Sequence, residues 1–229
     1  MFKGDDKMSK IIKWRNSDLS PSINKIRSLS EMDPTIPTSW LTLVLNDGEF
    51  IHCLSSADID LVSGSNASIT VQGETFTRSQ IMGAYFGPAW DSNIIPVGFL
   101  SGCPNLIYLS PIPSTVSSIF EEVLSGAHSL LSLTIPTGVI GIDTGFLMNT
   151  NALTDVYVSS NFASALSNAS GGHFVTSVGV SDPSALSYVN GVSIHGLTLT
   201  EFNDLALVLP NRDSGGSTPF RNLVHVDED

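Results

Sequence analysis

The chain has no lysine after Lys25, and after Arg27 its only arginines are Arg78, Arg212 and Arg221. Phosphate contacts need basic groups, so this body is not built to grip nucleic acid. Cysteine is nearly absent: Cys53 and Cys103 are the only two, too few for a disulfide-dense secreted scaffold. No run approaches the ~20 apolar residues of a membrane span. The basic N-terminus is not followed by the apolar stretch of a secretory signal, so the expectation is a chain made in a cytoplasm with no membrane partner. The five histidines (His52, His128, His173, His195, His225) show no metal-ligand spacing. There is no Gly-x-Ser-x-Gly elbow, no Walker loop and no Gly-x-Gly-x-x-Gly after a strand. Glu121-Glu122 reads as a solvated pair, and Asp227-Glu228-Asp229 lacks the spacing of a calcium loop. The reading is of no catalytic residue, no cofactor and no metal, hence not an enzyme.

What is present is enough for a sizeable core. The 229 residues are 41% hydrophobic and only 14% charged. Serine, threonine, asparagine and glycine are abundant, which suits strands and turns better than long helices.

The net charge of −12 is divided sharply. Residues 1–27 carry seven cations against three carboxylates, a net +4, whereas the remainder carries three against 19, a net −16. A basic arm can dock on an acidic surface. Its candidate docking residues are Lys10, Lys13, Trp14, Arg15, Lys25 and Arg27. Ser20-Pro21 is a helix start, and Asp33-Pro34-Thr35-Ile36-Pro37 then favours an extended path, so 1–39 reads as an arm.

From Trp40 the pattern is of strands. Trp40 to Leu45 and Glu49 to Cys53 flank an Asn46-Asp47-Gly48 turn. Ser68 to Val71 is another strand, and Thr77-Arg78-Ser79-Gln80 has the spacing of a capping box that would open a short helix through Tyr85. Val71 to Thr77 is echoed by Ile194 to Thr200, which suggests similar strand–turn–helix pieces at both ends of the body.

Between those pieces lies a repeat. Phe99-Leu100-Ser101-Gly102-Cys103-Pro104-Asn105-Leu106 recurs at residues 123–130 and, more loosely, at 146–153, with periods of 24 and 23 residues. Leu106 and Leu109 correspond to Leu130 and Leu133, then to Leu153 and Val156. The runs Ile112-Pro113-x-x-Val116-x-x-Ile119 and Ile135-Pro136-x-x-Val139-x-x-Ile142 follow, and the third copy drops the proline. One extra residue near Pro111 accounts for the longer first period. Such a period means stacked coils that each bury a face against the next. Each coil would carry a strand, a stop at proline, a second extended segment, and a short helical or 3₁₀ stretch at Phe/Val-Leu. Cys103, matched by Ala127, reads as a small buried residue.

These residues resemble the leucine-rich repeats of the BspA-like (Treponema pallidum) type over roughly 93–166. The resemblance implies a solenoid with a strand ladder on one face, and roles in surface attachment and protein binding. The fold expected is mainly β with short helices: a leucine-rich-repeat solenoid of about three coils flanked by α+β capping elements. The divisions are 1–39 arm, 40–92 N-terminal cap, 93–166 solenoid, and 167–229 C-terminal cap with an acidic tail. A short array embedded in a small acidic chain is also similar in architecture to phage virion components. The expected function is therefore structural: a capsid decoration, head-fibre or tail accessory protein, located in the virion, whose partners are other virion proteins or copies of itself. The alternative is a bacterial cell-surface adhesin that binds host protein or glycan. In either setting the candidate surface is the outward side of the strands, with Ile107, Tyr108, Leu131, Ser132, Asp155 and Tyr157 as the residues chosen, and Ser110, Thr134 and Thr154 beside them.

Overall fold

The computed structural model describes residues 38–143, 146–147, 149–161, 192–208 and 223–226. The arm residues Lys10, Lys13, Trp14, Arg15, Lys25 and Arg27, the Ser20-Pro21 helix start and the acidic tail lie outside the described residues. Strand β1 (Leu41–Leu45) turns at Asn46-Asp47-Gly48 into β2 (Phe50–Cys53). They pair antiparallel with Leu41 opposite Cys53, and Gly48 supplies the left-handed turn residue (φ 86°). Helix α1 (Ser56–Val62) follows, capped by Ser55 and Asp58, which exchange side-chain bonds with each other's backbone N–H. The sequence reading had no helix there. Next comes a hairpin of β3 (Ser68–Val71) and β4 (Glu74–Thr77), turned through Gln72 and Gly73 at positive φ.

The helix expected through Tyr85 is instead a strand. The Thr77–Gln80 capping box forms, but it closes only one 3₁₀ turn, Arg78–Gln80. Residues Ile81–Phe86 then run extended as β5, between β1 on one side and β7 (Tyr108–Leu109) on the other. A strand buried on both faces reads as a continuous apolar run, and periodicity cannot tell such a run from a buried helix. The echo between Val71–Thr77 and Ile194–Thr200 is likewise not structural. The first is a hairpin; the second leaves strand β12 (Val192–His195) and enters helix α2 (Leu199–Val208), whose start is capped by Thr198 and Glu201.

The body is mainly β, and its middle is a solenoid of about three turns. One side carries parallel strands in the order β5, β7, β9 (Ser132–Thr134), β11 (Asp155–Tyr157), β12 and β13 (Leu223–His225). Between β7 and β9 the ladder thins to two long bonds, Leu131 N–H to the Ile107 carbonyl and Ile112 N–H to the Thr134 carbonyl. A second parallel sheet joins β6 (Ile94–Ile95), β8 (Ser118–Ile119) and β10 (Gly141–Ile142). Parallel pairing thus begins inside 40–92 and continues beyond 166.

The core is the stack of matching positions. Leu109, Leu133, Val156 and Ile194 form one column, and Ile95, Ile119 and Ile142 a second. Phe99, Val123 and Phe146 form a third, and Leu106, Leu130 and Leu153 a fourth. Each of these side chains is at most 5% exposed. At that burial a Leu or Phe contributes ~2–3 kcal/mol, so the columns hold the coils in register. Cys103 and Ala127 are fully buried as expected, and the third coil puts Thr150 in their slot, where its hydroxyl donates to the Leu147 carbonyl at 2.8 Å.

The Phe/Val-Leu corner is neither helical nor 3₁₀. Leu100, Leu124 and Leu147 all have positive φ, at 53°, 60° and 62°. The corner instead alternates left-handed residues: Gly98, Leu100 and Gly102 in the first coil, Glu122, Leu124 and Gly126 in the second. The burial of each leucine side chain, with bonds such as Leu124 N–H to the Phe99 carbonyl, holds a conformation that leucine alone disfavours.

Candidate functional site

Period-2 alternation sends Leu109, Leu133, Val156 and Ile194 inward and their neighbours outward. Register then fixes two outward rows across β9, β11 and β12: Ser132, Asp155 and Ser193 form one, and Thr134, Tyr157 and His195 the other. Across the thinned β7–β9 step the 24-residue repeat matches Tyr108 to Ser132, and Gly83 of β5 is the partner of Tyr108. The six residues chosen from sequence come together along β7, β9 and β11. Leu131 and Tyr157 are exposed, at 48% and 41%. Ile107, Tyr108, Ser132 and Asp155 are half-buried.

Tyr108 is covered on one side by Tyr85 of β5, with ring centroids 5.0 Å apart. Burial raises the Tyr108 phenol above its ordinary range, and burial followed by the neighbouring Tyr108 pushes Tyr85 up to about 12. Both phenols are therefore neutral at physiological pH. Beyond them the N-terminal end of this face is closed: Thr42 is buried, bonding Ser39 on one side and His52 Nδ1 (2.9 Å) on the other.

Toward the C-terminal end lie side chains that sequence reasoning did not pick. Tyr157 stacks on His195 with centroids 4.4 Å apart and planes 19° from parallel. His195 Nε2 lies 2.8 Å from Asp155 Oδ1, and Thr154 Oγ1 donates to Asp155 Oδ2 at 2.8 Å. His195 was missed because the 23-residue period is lost before β12. The only usable signal was the alternation Val192-Ser193-Ile194-His195, which overlays Ile194 on Val156. Tyr85 was missed because its segment read as helix.

The electrostatics are one-sided. Arg78 is the only lysine or arginine among the described residues, and it is 4% exposed. The remaining surface charges there, histidines aside, are carboxylates. Such a surface repels anionic ligands and leaves hydrogen bonding, aromatic stacking and apolar contact as its means of recognition. Among the described residues no group of three or more His, Cys, Asp or Glu side chains is placed to hold a metal ion. No helix of the described residues is long and apolar enough to cross a membrane.

Comparison with protein-family models, curated proteins and solved structures finds no match to this chain.

Proposed function

We propose that the chain is a non-enzymatic structural and binding protein that presents the outward face of its strand ladder to a partner. The observation that carries this reading is the contrast along one ladder. The inward columns are shut off from water, while Leu131 and Tyr157 stand exposed among half-buried hydroxyls and a carboxylate. Aromatic and apolar side chains with polar tips are the groups favoured at interfaces.

The setting proposed is a virus particle, with residues 1–39 as the docking arm. The charge division supports it, since a net +4 arm precedes a net −16 body. Deleting residues 1–30 and assaying incorporation into particles tests the arm, and unchanged incorporation would remove its docking role. The second reading, a cell-surface adhesin with leucine-rich repeats, is favoured by the Leu-x-x-Leu and Ile-Pro-x-x-Val-x-x-Ile pattern itself. Genes for secretion and anchoring beside this one would favour it, and capsid and tail genes would favour the particle.

A further inference from the structure

We infer that the ladder face over β7, β9 and β11 is a saccharide-binding trough, and that its ligand is a neutral oligosaccharide. The inference rests on the reading of this face as a binding surface, and its adsorption test on the particle setting proposed above; it adds what the face binds.

The register of β9 with β11, together with the repeat that matches Tyr108 to Ser132, defines the trough. Strand β9 contributes only small side chains outward, Ser132 and Thr134. The strands on either side carry large ones: Tyr108 on β7, backed by Tyr85, and Asp155 with Tyr157 on β11, backed by His195. Paired strands lie ~4.8 Å apart, and the β7–β9 step, joined by two long bonds, is at least that wide, so the two walls stand ~10 Å or more apart across a hydroxyl floor. A ring in contact with both walls at ~3.5–4.0 Å needs ~7–8 Å, so a sugar ring fits between them. The repeat matches Tyr108 to Ser132, which pairs with Asp155, and Tyr157 lies two residues further along, a displacement of ~6.6 Å. A ligand touching both rings therefore lies obliquely and has more than one unit.

The chemistry of the lining selects the class. Pyranose rings present C–H faces to aromatic rings and hydroxyl edges to polar groups. The hydroxyls of Ser132, Thr134 and Tyr157 make no hydrogen bond among the described residues. The Asp155 carboxylate is held in place from both oxygens by His195 and Thr154, and each oxygen keeps lone pairs for ligand hydroxyls. Fixed polar groups between aromatic walls are the general make-up of small-ligand sites. The Asp155 carboxylate on the trough wall repels the charge of sialylated, sulfated or phosphorylated sugars.

The test uses the full chain on an array of neutral and anionic glycans, followed by adsorption to the cells on which its particles grow, with and without periodate oxidation of those cells. Binding to a set of neutral oligosaccharides is expected, weakened at least tenfold by Tyr157→Ala and by Thr134→Trp, which fills the trough. Adsorption should fall with periodate and with Thr134→Trp alike. Circular dichroism and melting check that both variants fold; Tyr157→Ala removes an exposed ring and serves if the tryptophan variant does not. A blank array, with adsorption that survives periodate but is lost in the trough variants, would overturn the saccharide and leave the face as a protein-binding surface. Glycan binding and adsorption both indifferent to the variants would overturn the saccharide and the binding face together.

Discussion

The guanidinium of Arg78 donates to the carbonyl oxygen of Ser101 at 2.8 Å, tying the N-terminal unit to the first coil of the solenoid. The same buried group donates to the carbonyls of Val62 and Asn66, at 3.1 and 2.7 Å, and to the Cys103 sulfur at 3.9 Å. Val62 ends α1, where carbonyls lack helical partners and favour a cation. Arg78→Met would strand these acceptors in a buried site. Bonds from a charged donor are worth ~1.5–3 kcal/mol each, so a loss of roughly 3 kcal/mol or more is expected. Urea denaturation should show a lower midpoint and a broadened or biphasic transition, because the junction is what couples the two parts. Arg78→Lys should fall between, since one ammonium cannot reach acceptors spread around a planar fork.

Glu122 stands in the slot that Gly98 occupies one coil earlier, and the two should respond oppositely to substitution. Glu122 is exposed and held at φ 56°. Glu122→Gly relieves a left-handed strain of ~1–2 kcal/mol and loses ~0.4–1 kcal/mol through the freer unfolded chain, for a net gain of about 0.5–1 kcal/mol. Gly98 has φ 67°, and a Cβ there would lie 2.8 Å from the Gly64 backbone nitrogen. Gly98→Ala should destabilise by ~2–4 kcal/mol, combining backbone strain with overpacking against a backbone that cannot move aside. Thermal unfolding of the two variants beside the parent chain checks both signs.

How far the sequence carries the fold depends on how local each signal is. The stacked columns were legible because Leu106, Leu130 and Leu153 repeat at near-constant spacing, and one face of each coil is buried for the same reason. The outward positions of β7, β9 and β11 followed from strand alternation. The left-handed corner at Leu100, Leu124 and Leu147 was not legible, because it opposes the intrinsic preference of leucine and is imposed by burial in the stack. Strand β5 was misread because it is buried on both faces, which erases the alternation that marks a half-buried strand. Asp155 was chosen from sequence without its partner, since His195 lies 40 residues away, beyond the reach of the repeat.

The two thiols should report unfolding of the native body. Burial, followed by the nearby Asp58, pushes the Cys53 thiol up to about 12. Burial raises Cys103 to about 11, although the charge of Arg78 pulls the other way. Thiolate is the reactive form, so neither should react with a disulfide reagent at pH 8 in the folded chain. The expected result is near-zero reaction in buffer and two equivalents in urea. Fast reaction of either thiol without denaturant would contradict its burial. In Arg78→Met the opening that exposes Cys103 should become more frequent, so its labelling should quicken more than that of Cys53.

His52 should make the chain less stable as the pH falls. Burial lowers its pKa below 6.5, and its Nδ1 is engaged by the buried Thr42 hydroxyl. Between its folded and unfolded pKa values the unfolded chain binds the extra proton. Stability therefore declines as pH drops below about 6.5, and the His52 contribution levels off once the pH is beneath the folded value. The carboxylates titrate too, so the wild-type curve alone would not isolate the imidazole. His52→Asn removes the titration while leaving an amide in reach of Thr42. Melting temperatures of both proteins from pH 7.5 to 5 should converge as the pH falls: the parent loses stability that the variant does not, and any cost of the substitution at pH 7.5 shrinks. Parallel curves would mean that His52 takes up its proton equally well in the folded and unfolded chain, which would contradict its burial.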